Sequence, residues 1–224
     1  MKRTIITAHS GCEGTIPGSL ENILTALKCK ADLIEVDLRL YGEDVYLAHD
    51  PIDAGQLDSY LPFRRVLEIL APEKIKLNCD LKEKEVFEPA LKLIREYRME
   101  ERIVFTGDYY VKTDIKAKYK YFLNISCSGI KLNSEIISEI DADRMIELYK
   151  SSKDKAFDAF NLNYMRITPE AKKKLYDAGI NTCFWTVDNI EEIERMLKDG
   201  VFAITTNLLD DAISARMRIQ DGQN

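Results

Sequence analysis

Short runs of β-branched and aliphatic residues alternate with helix-patterned stretches along this chain, and that alternation restricts its fold more than any other feature. Runs compatible with strands span 4–8, 32–38, 75–81, 102–106, 121–125, 159–163, 181–187 and 202–205, with a short extra strand at 45–48 after the second. Between them the periodicity predicts helices that include 20–30, 63–70, 86–97, 134–150, 169–178 and 190–198. Boundary signals support several of these. Thr168 ahead of Pro169 and Glu170 reads as an N-cap with proline at the first helical position, and Gly179 and Gly200 stop helices just before strands. Eight strands separated by helices predict an α/β chain closed as a (β/α)8 TIM barrel, ahead of the competing open doubly wound sheet. A length of 224 residues suits one domain over 1–224, and no repeat, low-complexity tract or linker divides it.

Strand parity then says where the polar residues go, because side chains alternate between the two faces of a strand. Thr7 and His9 oppose Ile6 and Ala8, while Glu35, Asp37 and Arg39 oppose Ile34 and Val36. Asn78, Asp80 and Lys82 oppose Leu77, Cys79 and Leu81, and Asn161 and Asn163 oppose Phe160 and Leu162. If the apolar sets pack on outer helices, four strands send polar groups toward the barrel axis. Stability does not explain such convergence, since a buried ion costs several kcal/mol unless it is paired or metal-bound. Glu35 and Asp37 stand two residues apart and Asp80 comes from a neighbouring strand, so three hard oxygen donors can meet one cation. That donor set suits Mg²⁺ or Ca²⁺ better than zinc. Three carboxylates, one divalent ion and Lys82 sum to zero charge, which leaves room for a bound anion.

The chain holds only two histidines, His9 and His49, each placed where a strand runs out into a loop. Imidazole is the side chain best matched to proton transfer near neutral pH, so the pair points to acid–base chemistry beside the carboxylates. Other classes fall away. A net charge of −6 argues against a general nucleic-acid binder. The five cysteines, Cys12, Cys29, Cys79, Cys127 and Cys183, are dispersed and lack Cys-x-x-Cys spacing, so they read as reduced thiols of a cytoplasmic protein. No apolar stretch reaches membrane-spanning length, and Met1-Lys2-Arg3 runs straight into a strand.

Together, His9-Ser10-Gly11, Leu20-Glu21-Asn22, Glu35-Val36-Asp37, His49-Asp50, Asp80-Leu81-Lys82, Trp185-Thr186-Val187 and Gly200-Val201 running to Thr205-Thr206-Asn207 form an ordered series. In that series the chain resembles the glycerophosphodiester phosphodiesterases, (β/α)8 barrels related in mechanism to phosphatidylinositol-specific phospholipase C. The resemblance implies hydrolysis of a glycerophosphodiester to glycerol phosphate and an alcohol. It assigns His9 and His49 as the general acid–base pair and Glu35, Asp37 and Asp80 as ligands of one divalent cation, Mg²⁺ or Ca²⁺. Lys82 contacts the phosphate, Trp185 walls the substrate pocket, and Glu21 is a supporting carboxylate near the metal or His9. The implied partner is a small-molecule phosphodiester, with no nucleic acid and no membrane span; the oligomeric state stays open.

Three departures from that pattern bear on the site. Ser10 stands where the family has an arginine, which would give a bidentate clamp on phosphate that a hydroxyl does not reproduce. Arg39 is a partial substitute only if it is not tied up in an ion pair. Asp80 replaces a longer glutamate, and the segment between His49-Asp50 and Phe63 is too brief for the small covering insertion that many members carry. Two alternatives therefore accompany the hydrolase: a lyase-like phospholipase that yields a cyclic phosphate, and a barrel that binds a phosphorylated ligand without turnover.

Overall fold

The computed structural model describes residues 3–108, 119–126, 129–132, 135–152, 157–220 and 222. Eight parallel strands form its frame: β1 (Ile5–Ala8), β2 (Leu33–Tyr41), β5 (Lys76–Leu81), β6 (Ile103–Gly107), β7 (Lys120–Ile125), β10 (Ala159–Asn163), β11 (Thr182–Trp185) and β12 (Ala203–Thr206). The sheet closes because β1 pairs with β12 on one side and with β2 on the other, at Thr7 opposite Leu33. A closed parallel barrel of this kind excludes the open sheet. Two short antiparallel strands, β3 (Asp44–Leu47) and β4 (Leu61–Pro62), extend β2 beyond the barrel wall. A separate hairpin pairs β8 (Ile130–Leu132) with β9 (Glu135–Ile137).

The outer helices are α1 (Leu20–Lys28), α2 (Phe63–Leu70), α3 (Phe87–Glu96), α4 (Ala142–Ser151), α5 (Pro169–Asp177), α6 (Ile190–Asp199) and α7 (Leu209–Ile219). Their apolar faces cover the outward residues of the strands. Ile6, Ile34, Leu77, Phe105 and Phe160 are all fully buried between the two layers. The caps read from the sequence are present: the Thr168 hydroxyl accepts from Ala171 N–H at 3.2 Å, and Gly200 ends α6 at a φ of 66° that a side chain would oppose.

One expected element is different. The helix predicted over 134–150 begins only at Ala142, and strand β9 and a turn occupy its first part. Asp141 supplies the N-cap, accepting from Arg144 N–H at 3.0 Å, so the helix starts where a side chain can satisfy its free amides. The terminal helix α7 was not singled out by the sequence pattern. Cys127 lies outside the described residues, and the four described cysteines, Cys12, Cys29, Cys79 and Cys183, are free thiols. Among the described residues, no helix is long and apolar enough to cross a membrane.

Parity inside the barrel produces layers. At the amino-terminal end of the strands, Leu33, Val104, Phe122, Ala159, Cys183 and Ala203 form a small apolar plug, with Phe122 and Phe202 meeting edge-on at 5.7 Å between ring centres. Two residues further along each strand the inward side chains turn polar. Thr7, Glu35, Asn78, Thr106, Asn124, Asn161 and Trp185 follow, and the plug beneath them separates the charged layer from the other end of the barrel.

Candidate active site

A cavity of about 260 Å³ opens at the carboxyl-terminal ends of the strands, where this architecture supports ligand sites. His9, Glu35, Asp37, His49, Asp80, Lys82 and Trp185 all line it, so seven of the eight site residues expected from the sequence meet in one place. Glu21 does not. It is exposed on the first turn of α1, outside the lining, whereas its neighbour Asn22 is buried and donates to the His9 carbonyl at 3.4 Å.

The carboxylates meet because β2 and β5 are in register, with Glu35 opposite Asn78 and Asp37 opposite Asp80. One oxygen from each of Glu35, Asp37 and Asp80 lies within 4.8 Å of the other two. Asp37 and Asp80 are buried, and the Glu35 side chain is only 13% exposed. Burial, reinforced by the charges of Asp37 and Asp80, pushes the Glu35 carboxyl well above its ordinary range, and Lys82 only partly opposes this. Lys82 Nζ sits between the other two, 2.8 Å from Asp37 Oδ1 and 2.6 Å from Asp80 Oδ2. Burial works against its charge, yet Asp80 and Asp37 outweigh it and raise its pKa above the usual lysine value. Three crowded hard-oxygen donors with a single cation between them fit a divalent metal ion.

The neutral part of the ring is a chain of amides. Asn124 donates to Asp80 Oδ1 at 3.3 Å and accepts from Asn161 at 2.7 Å, while Thr106 donates to Asn78 at 3.0 Å. Asp108 joins the lining from the end of β6. Desolvation and the Asp80 charge raise its pKa, against a hydrogen bond from Asn124. Trp185 lines the cavity, and its indole nitrogen is buried with no hydrogen-bond partner among the described residues, a state that costs about 1–3 kcal/mol.

The two histidines are held differently. His9 Nδ1 is 2.9 Å from Asn207 Oδ1, and its Nε2 is 3.7 Å from Glu35 Oε2. His49 is 71% exposed on its side chain, with Nδ1 3.0 Å from Asp50 Oδ1. Arg39 braces the His49 loop, donating from Nε and Nη2 to the His49 carbonyl at 3.0 and 2.9 Å, and it pairs with Glu83 at 3.4 Å. It therefore does not replace the missing phosphate-clamping arginine. Ser10 is no replacement either, since its hydroxyl accepts from Gly18 N–H at 2.9 Å and it does not line the cavity.

Sequence reasoning did not single out Asp108 or Asp188, and it quoted Asn22 and Asn207 only as motif positions, with no role in the site. Parity along β12 was the available signal for Asn207, which follows Ala203 and Thr205 on the inward face.

No protein-family model matches the chain. A relative from Caldanaerobacter subterraneus subsp. tengcongensis, a glycerophosphodiester phosphodiesterase, is 25% identical over 245 residues, covering 92% of this chain and 94% of that protein. The chain is similar to the glycerophosphodiester phosphodiesterases. The similarity runs through the whole barrel, not one motif. Solved structures agree on the fold. A glycerophosphodiester phosphodiesterase from Parabacteroides distasonis superposes with a TM-score of 0.73 at 16% identity, covering 99% of each chain. An Oleispira antarctica phosphodiesterase, solved with the product sn-glycerol-3-phosphate, superposes with a TM-score of 0.74 at 13% identity over 94% of this chain and 96% of that one.

Proposed function

We propose that this protein is a metal-dependent glycerophosphodiester phosphodiesterase, cleaving its substrate to glycerol phosphate and an alcohol. The observation that carries the reading is one cavity lined by both histidines of the chain together with Glu35, Asp37, Asp80 and Lys82. The 25% identical phosphodiesterase relative and the product complex of the Oleispira antarctica barrel support the substrate class.

Glu35, Asp37 and Asp80 would hold the cation, Mg²⁺ or Ca²⁺. When bound it supplies Lewis-acid stabilisation of charge on the phosphoryl oxygens. The rest falls to the chain. Lys82 offers the ammonium that attracts the anionic diester, being the cation among the described residues of the lining. Trp185 walls the cavity. One imidazole takes a proton from the attacking water as the new P–O bond forms, and the other gives a proton to the leaving alcohol oxygen as the old P–O bond breaks. The short segment between Asp50 and Phe63 leaves His49 exposed, which suits a diester whose alcohol end extends into solvent.

A panel of glycerophosphodiesters differing only in the alcohol tests the reading. Purified protein should release glycerol phosphate with Mg²⁺ or Ca²⁺ and stop on chelation, and His9→Ala and His49→Ala should each abolish turnover while circular dichroism stays native. Full turnover by either variant, or by chelated enzyme, overturns the proposal.

A further inference from the structure

The hydrogen bonds behind His9 run in one direction, and that direction fixes which ring nitrogen carries hydrogen. Asp188 follows β11 and presents a carboxylate, which only accepts. It takes Asn207 N–H at 2.7 Å, Asn207 Nδ2 at 2.7 Å and the Thr206 hydroxyl at 3.3 Å. With its NH₂ spent on Asp188, the Asn207 amide can face His9 only with its carbonyl oxygen, which is the atom 2.9 Å from His9 Nδ1. A carbonyl oxygen also only accepts, so Nδ1 must be the donor. In the neutral ring the lone pair then falls on Nε2, the nitrogen on the Glu35 side of the cavity. The backbone secures the same geometry, since His9 N–H donates to the Thr206 carbonyl at 3.0 Å and pins the end of β1 against β12.

We infer that Asn207, oriented by Asp188, is a positioning residue that holds His9 in the Nδ1–H tautomer and so turns the Nε2 lone pair toward the Glu35 side of the cavity. The second imidazole is held less firmly: His49 Nδ1 faces the exposed Asp50 carboxylate at 3.0 Å. The expected effect on turnover rests on the phosphodiesterase reading, but the tautomer does not.

Histidine scarcity makes the test clean, because two imidazoles give two sets of signals and His49→Ala identifies which set is His9. In ¹⁵N-histidine-labelled protein, with and without Mg²⁺, long-range proton–nitrogen correlations followed to a pH where both rings are neutral should show His9 protonated on Nδ1. Asn207→Ala should move that ring toward the Nε2–H form. Asp188→Asn should give a mixture, because the 207 amide can then turn over. In steady-state assays on glycerophosphodiesters, Asn207→Ala should lower kcat about ten- to a hundredfold with little change in KM. A wild-type His9 found in the Nε2–H form overturns the inference even if no variant folds, and so does an Asn207→Ala protein with unaltered tautomer and kcat. Protein that shows the Nδ1–H tautomer but hydrolyses no diester would instead sink the functional reading and leave the positioning of His9 intact.

Discussion

Lys82 sits where attraction by two carboxylates outweighs desolvation. Its ammonium is held by two buried carboxylates, and a third, Glu35, lies close enough that the group as a whole is short of positive charge. Lys82→Met removes the cation and keeps the stem, so the residual site should repel an anionic diester. We expect kcat/KM to fall about 10²–10³-fold with native circular dichroism, as when a preorganised donor to developing charge is lost. An unchanged kcat/KM would show that Lys82 serves only the fold. The same shortage predicts that divalent cation stabilises the free protein. At a metal concentration a hundred times Kd, linkage adds about 2.7 kcal/mol, which for a chain of this size raises Tm by about 5–10 °C. Asp80→Asn should abolish that shift in calorimetry, which needs no substrate. Much of this cluster was legible as residues, since Glu35-x-Asp37 and Asp80-x-Lys82 show their parity in the sequence itself. Asp188 and Asn207 were not legible in the same way, because an exposed aspartate after β11 gains its meaning only when β12 delivers an amide to it.

Among the elements, the barrel strands and most helices announce themselves through two periods, 2.0 inside the wall and 3.6 outside it. Where both periods fit one stretch, the pattern fails. Ile136, Ile137 and Ile140 satisfy a helical spacing, and 134–150 was expected as one helix for that reason. In the structure Ile137 is buried while Ile136 and Ile140 are exposed, which is the alternation of a strand and turn, not the stripe of a helix. Burial of Ile137 beside Ile130 outweighs the local preference. The cap at Asp141 then decides where α4 begins. Asp141→Ala should cost about 1 kcal/mol, read as a lower urea midpoint at unchanged slope. No loss would mean that packing of Met145 and Ala142 alone sets the helix start.

For the whole molecule, the two ends of the barrel do different jobs, and that division was predictable only once closure was seen. At the end opposite the cavity, Asp32 accepts from Ile6 N–H at 2.8 Å and from Arg3 at 2.9 Å, and it pairs with Arg216, which is 3% exposed. Arg216 also donates to the Thr4 carbonyl at 3.1 Å, and Gln220 joins Thr4 to the Leu197 carbonyl. Helix α7 thus clamps β1 at the seam where the barrel closes. Burial alone would raise the Asp32 pKa, but the Ile6 amide, Arg216 and Arg3 outweigh it and hold the carboxyl below its ordinary value. A carboxyl with a depressed folded-state pKa stabilises the fold above its unfolded value, near 3.8, and loses that contribution as pH falls through the folded one. Asp32→Asn leaves Arg216 buried without its counter-charge, at a cost of about 3 kcal/mol at pH 7. Urea titrations should therefore separate wild type from variant at neutral pH and bring them together only as pH falls below 3.8 and through the depressed folded-state value, while kcat at neutral pH stays at the wild-type level because the cavity lies at the far end of the strands. A gap that fails to narrow as pH is lowered from 7 to about 2 would exclude ionisation of Asp32 as the source, and a collapse of kcat in folded variant would show that the closing seam and the reacting face are coupled through the plug between them.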